Sequence, residues 1–194
     1  MAEIKALIVG YARKISGGWA ASSSVALIKS GGKNILVDPG CNRKKLLLAL
    51  DSEGLKTEDI DFVILTHSHT DHTLLCGIFE NAKVLNSEEI YDGDFQVAHN
   101  CKIPGTEIQI IKTPGHSPEH CSVIVPTEKG IYAVAGDVFW WVDGEVQKID
   151  IKKIDSWHPD ELDMKKLIES RKKILALADY IIPGHGKMFD VNKG

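Results

Sequence analysis

Short apolar runs rich in Val, Ile and Leu alternate along the chain with glycine- and proline-marked turns, a pattern that predicts strands interrupted by a few helices. In the first half, Lys5 to Val9, Ser24 to Lys29 and Asn34 to Val37 read as strands, punctuated by Gly31-Gly32 and Pro39-Gly40. A helix follows at about Arg43 to Asp51, and Thr57 is placed to cap a short helical turn. Phe62 to Leu65 is a brief apolar strand that runs straight into Thr66-His67-Ser68-His69, helix propensity resumes after His72, and Lys83 to Asn86 and Phe95 to Ala98 read as further strands.

The second half repeats the mixture. Glu107 to Lys112, Cys121 to Val125, Ile131 to Ala135 and Glu145 to Ile149 read as strands, and Pro159 and Asp160 open an amphipathic helix carrying Leu162, Leu167, Ile168, Leu175 and Leu177. Its interleaved charges, Lys165-Lys166 and Arg171-Lys172-Lys173 among them, read as the solvated face. A last strand, Tyr180 to Ile182, delivers Pro183-Gly184-His185 at its end. Mixed strands with helices outside them predict two sheets sandwiched between helical layers.

Composition changes this picture little. The 194 residues suit a single domain spanning 1–194, and the net charge of −4 gives no global pull toward nucleic acid or an anionic membrane. Cys41, Cys76, Cys101 and Cys121 are scattered without a Cys-x-x-Cys pair, so no disulfide framework or zinc knuckle is predicted. No apolar run reaches the length of a membrane span, and Arg13 and Lys14 follow the first strand without a cleavage site. A cytoplasmic protein with no membrane partner is the expectation.

The chemistry lies at the strand ends. His67 and His69, one residue apart on an extended segment, point to the same side and can reach one ion. Asp71 and His72 follow where the chain turns into a helix and can face a neighbouring point, which makes a second ion feasible. Imidazole and carboxylate donors suit zinc first, with iron or manganese also accommodated, and the lack of nearby thiolates argues against a purely structural zinc. One histidine alone is most simply surface or capping polarity. Here four ligand-capable residues fall within six positions, and His116 and His185 each follow a Pro-Gly after a predicted strand.

His-x-His-x-Asp-His with a later His, Asp and His resembles the metallo-β-lactamase superfamily, as does Leu36-Val37-Asp38-Pro39-Gly40 ahead of the motif. The resemblance implies an αββα sandwich with the site at one edge. It implies His67, His69 and His116 on one metal, Asp71, His72 and His185 on a second, and Asp137 bridging both. It also implies a non-ligand His120 and an Asp38 that orients a bound histidine. His99 and His158 fall in predicted loops as surface histidines.

Two divalent ions about 3.5–4 Å apart would activate a bridging hydroxide and polarise the bond attacked, with Asp71 as the catalytic proton acceptor. The expected function is therefore metal-dependent hydrolysis of an ester, lactone or phosphoester. The stretches Gly10-Tyr11-Ala12-Arg13 and Ser170 to Leu175 through Gly186 resemble a small branch of the superfamily and add an endoribonuclease reading, with short single-stranded RNA as substrate. The charge balance favours a small molecule, and so do Trp19, in a Gly-rich loop after the first strand, and Phe139-Trp140-Trp141 beside Asp137. The alternative is a mononuclear iron persulfide dioxygenase, disfavoured by the complete second set of ligands. The oligomeric state is not written in these patterns.

Overall fold

The computed structural model describes residues 1–154 and 162–193. Pro159, Asp160 and His158 lie outside the described residues.

Two sheets face each other. The first has seven strands in the order β1 (Glu3–Ile8), β4 (Val25–Ser30), β5 (Lys33–Val37), β6 (Phe62–Ile64), β7 (Lys83–Leu85), β8 (Glu89–Asp92) and β9 (Phe95–Ala98). The second has five: β10 (Gln109–Lys112), β11 (Cys121–Thr127), β12 (Gly130–Trp140), β13 (Tyr180–His185) and β14 (Phe189–Asp190). Between them lies a core of Ile28, Ile35, Val37, Ile64 and Leu85 from one sheet against Ile110, Val123, Val125, Val134 and Ile182 from the other. Stacked sheets of this kind bury one face of every strand, which is why these segments alternate or run apolar.

Helices cover the outer faces. α1 (Arg43–Ser52) lays Leu46 and Leu50 against Leu36 and Val63 of the first sheet. α3 (Met164–Leu177) lays Leu167 and Ile174 against Ala133 and Ile181 of the second. Asn42 caps α1 by accepting from the Lys45 amide, and Asp163 caps α3 by accepting from the Lys166 amide, satisfying donors that a helix start leaves open. The order helix, sheet, sheet, helix is the αββα sandwich the sequence predicts. Among the described residues no helix is long and apolar enough to cross a membrane. All four cysteines are free thiols.

Beyond the unpredicted short strands β8 and β14, four features depart from the sequence reading. Trp19 is not in a loop: β2 (Tyr11–Ile15) and β3 (Gly18–Ser22) form a separate two-stranded hairpin, paired Ala12 to Ala21 and Lys14 to Trp19. Its small and polar residues give no apolar run to read. Second, Glu145 to Ile149 is not a strand; the chain turns at Asp143 and Gly144 and continues irregularly, with Gln147 clipped to the Lys187 backbone. Third, β12 runs on from Ala135 to Trp140. Finally, Arg171 is not part of a solvated face but is buried.

The parallel pairs β5–β6, β6–β7 and β12–β13 bring several C-terminal strand ends to one edge of the sandwich. Asp38 follows β5, His67 follows β6 and His185 ends β13, so that edge collects the polar residues.

Candidate metal centre

Helix α2 (Thr70–Thr73) starts at His69, whose extended backbone serves as its N-cap, and this turn separates His67 and His69 from Asp71 and His72. The seven residues singled out in the sequence form two adjoining groups. His67, His69, His116 and Asp137 place one ligand atom each within 4.8 Å of one another, and so do Asp71, His72 and His185.

In the first group His69 Nδ1 lies 2.9 Å from His67 Nε2 and 3.1 Å from His116 Nε2. Tetrahedral ligation at about 2.0–2.1 Å spaces nitrogens about 3.3 Å apart, so three nitrogens at this spacing can share one ion. Asp137 Oδ2 stands 3.4 Å from His116 Nε2 and 3.9 Å from His67 Nε2. Its other oxygen, Oδ1, stands 3.3 Å from His72 Nε2 and 3.7 Å from His185 Nε2 in the second group. Asp71 Oδ2 completes that group at 3.2 Å from His185 Nε2. One carboxylate therefore offers an oxygen to each set.

Hydrogen bonds on the far side orient three of the rings. His185 Nδ1 donates to the Tyr11 carbonyl at 3.1 Å, and His72 Nδ1 donates to Asp38 Oδ2 at 2.8 Å. Thr66 Oγ1 donates to Asp38 Oδ2 at 2.7 Å and so accepts from His67 Nδ1 at 3.0 Å. Each of these imidazoles turns its Nε2 toward the centre, as carboxylate or carbonyl partners make metal-binding histidines do. Asp38 is thus the orienting carboxylate expected of it. Sequence reasoning does not single out Thr66, though it sits next to His67.

The electrostatics suit a bound cation. Burial holds His67 well below the usual imidazole range and His116 at about 4, so both present neutral rings. His72 is pushed the other way: burial opposes its charge, but Asp137 and Asp38 outweigh that and hold it protonated. For Asp137, burial disfavours the carboxylate, yet His72 and His185 keep its pKa well below the ordinary value. Buried His72 Nε2 and Asp137 Oδ1 have no hydrogen-bond partner among the described residues. Buried polar atoms seldom lack partners, and a divalent ion between these donors would satisfy both while displacing the His72 proton. The residues fit such ions.

His120 lies outside both groups, as expected. Its Nε2 accepts from the Asp137 amide at 3.1 Å and its Nδ1 faces Thr113 Oγ1 at 3.0 Å, so it holds the backbone of the shared carboxylate. His99 is a local clip between the Asn86 carbonyl and the Cys101 amide.

Above the centre opens a cleft of about 480 Å³ with His69, Asp71, Asp137 and His185 on its floor and Ala12, Trp19, Ala21, Leu74 and Trp140 on its walls. The hairpin supplies three of those wall residues because alternation puts Ala12, Trp19 and Ala21 on one face. It is tied to the centre through the Tyr11 carbonyl, through the Ser23 amide to the Asp71 carbonyl at 3.0 Å, and through the Asp143 amide to the Ala12 carbonyl at 2.7 Å. Of the three aromatic residues after Asp137, only Trp140 faces the cleft; Phe139 and Trp141 join the core under α3.

The chain is similar to known proteins in sequence and in fold. A family model described as the metallo-beta-lactamase superfamily matches residues 18–95. Metallo-beta-lactamase domain-containing protein 1 of Xenopus laevis is 36% identical over 203 residues, covering 98% of this chain and 82% of that protein. Solved structures share the fold, two of them over most of the chain. A metallo-beta-lactamase family protein of Thermus thermophilus aligns with a TM-score of 0.67 at 19% identity, over 99% of this chain and 76% of that one. The dizinc quorum-quenching lactonase AidC aligns with a TM-score of 0.63 at 18% identity, over 87% of this chain and 74% of that one. The chain and its αββα sandwich belong to the metallo-β-lactamase superfamily.

Proposed function

We propose that this protein is a dinuclear metal-dependent hydrolase, zinc in its working form, that cleaves an ester or lactone bearing an apolar group. The observation that carries the reading is Asp137: its two oxygens face two separate sets of donors at the floor of one cleft. Bound there, a pair of divalent ions supplies Lewis-acid polarisation of a carbonyl oxygen and a water ionised near neutral pH.

The chain's own residues supply the rest. Asp71 is the partly open member of its group, with its side chain 28% exposed to the cleft, and is placed to take a proton from entering water. Burial raises its pKa, but the His185 hydrogen bond and the His72 charge bring it below the usual value, so it enters the reaction as carboxylate. Asp38, Thr66 and the Tyr11 carbonyl hold three imidazoles with Nε2 turned inward. Trp19, Leu74 and Trp140 exclude water from an apolar acyl or leaving group.

Single-stranded RNA is the second substrate to test. Among the described residues no lysine or arginine lines the cleft, whereas a phosphodiester backbone is held chiefly by such cations. The likeness to AidC, itself a lactonase, supports the ester or lactone side. The complete second group, Asp71, His72 and His185, disfavours the mononuclear dioxygenase reading.

The test is a panel of 4-nitrophenyl esters, acyl lactones, bis(4-nitrophenyl) phosphate and unstructured RNA, assayed with zinc-loaded wild type and His69→Ala. Turnover of esters or lactones that vanishes in His69→Ala is expected. Turnover of RNA alone, or oxygen uptake when iron-loaded protein is given a persulfide in a parallel assay, would replace the proposal with one of its rivals.

A further inference from the structure

The stretch of β12 that carries Asp137 is irregular. Gly136 pairs with Pro183 and Trp140 with His185, so Asp137, Val138 and Phe139 stand opposite Gly184 alone. On its other side, β12 pairs with β11 only as far as Val134. Bulges of this kind re-aim a side chain, and here the bulge turns Asp137 into the space between the two donor groups. The carbonyls of such a stretch have lost their ladder partners and need others.

Arg171 meets that need from α3. It is 2% exposed, and its Nε donates to the Val138 carbonyl at 2.9 Å. The same guanidinium donates through Nη1 to the Lys153 carbonyl at 2.6 Å and the Ile151 carbonyl at 3.3 Å, and lies 5.9 Å from the Phe139 ring centre. Lys153 in turn reaches the Trp140 carbonyl at 3.4 Å and Glu145 at 2.8 Å. One buried side chain thus spans the residue after Asp137 and the segment that backs the Trp140 wall. Only a planar fork of donors can do this; a lysine at the same place has one nitrogen on a single stem.

We propose that Arg171 is a positioning residue for the metal centre: by holding the Val138 carbonyl it sets the aim of the Asp137 carboxylate, and by holding residues 151 and 153 it sets the Trp140 wall. This rests on the reading of Asp137 as the ligand shared by two ions. It assigns a role at the site to α3, which contributes no metal-ligand candidate of its own.

The test reads metal binding rather than hydrolysis. Cobalt(II) is titrated into metal-free wild type, Arg171→Met, Arg171→Lys and Leu46→Ala, following stoichiometry, affinity and the visible absorption band. Leu46→Ala serves as the control for lost packing, since Leu46 is buried under the opposite sheet. Loss of a group that orients a ligand costs roughly 10–100-fold in metal affinity. That loss, with an altered band, is expected for Arg171→Met, an intermediate loss for Arg171→Lys, and none for Leu46→Ala. Wild-type affinity and spectrum in Arg171→Met would overturn the proposal, as would an equal loss in Leu46→Ala. Should Arg171→Met fail to fold, Arg171→Lys decides alone, and wild-type cobalt binding there would overturn it. If wild type takes up two cobalt ions yet cleaves no ester, the functional reading fails while the Arg171 assignment is still judged on the cobalt data.

Discussion

Asp38 Oδ2 lies 2.8 Å from His72 Nδ1, and the same carboxylate accepts from the Thr66 amide at 2.8 Å and the Thr66 hydroxyl at 2.7 Å. Through Thr66 it also reaches His67, so one buried aspartate orients a histidine in each donor group. Asp38 adopts a left-handed backbone with φ of 51°, a conformation rare for residues other than glycine, asparagine and aspartate. Asp38→Ala removes the acceptor for three donors. Zinc affinity should fall by roughly 10–100-fold, and the orphaned Thr66 amide alone should cost about 1–3 kcal/mol of stability. Competitive zinc titration and thermal unfolding check both. Unchanged zinc affinity would remove Asp38 from the site.

Gly184 packs its backbone directly against the shared carboxylate. A Cβ there would stand 1.8 Å from Asp137 Oδ1, well inside contact distance. Gly184→Ala must therefore displace the shared carboxylate or move β13, and both disturb the second donor group. The expected outcome is a folded protein that binds metal weakly and loses most of its turnover, measured by metal content after dialysis and by ester hydrolysis. A variant that keeps full metal content would show that Asp137 tolerates another position.

The pH dependence of the metal-free chain follows from its buried imidazoles. Burial pushes His120 down to about 3 and His116 down to about 4. Unfolded, both would titrate near 6.5. Between those values the unfolded chain binds more protons, so their contribution is full above about pH 6.5 and is lost as pH falls toward 3. His67 shifts in the same direction. His72 shifts oppositely, adding stability below about pH 6.5 that is lost as pH rises through its raised value. Three groups against one make the metal-free protein less stable at pH 5 than at pH 7. Melting temperatures across that range test it, and a flat or rising profile toward acid contradicts it.

Most of the metal centre is legible in the sequence because its donors follow strands whose apolar pattern is plain. His67 comes after Phe62 to Ile64, and His116 and His185 come after Pro-Gly at strand ends, so residue type and spacing agree. The hairpin cannot be read that way. Tyr11 to Ser22 buries little of its surface, so it lacks the alternation that burial imposes, and its signal is only the Gly17-Gly18 turn. Arg171 is hidden for the opposite reason. It sits among Lys172 and Lys173 in a helix whose charges mostly face solvent, and the Val138, Ile151 and Lys153 carbonyls toward which it turns lie far from it in sequence. Trp140 and Trp141 are adjacent in sequence, and it is the path of β12 that sends one to the cleft and the other to the core.

If Asp137 serves two donor groups at once, metal counting shows it most directly. Zinc per chain is measured by elemental analysis in preparations titrated from metal-free protein, with ester or lactone turnover followed alongside. Turnover should rise until two ions are bound per chain, and Asp137→Ala should fail to reach two. Full turnover at one ion per chain would contradict a shared Asp137.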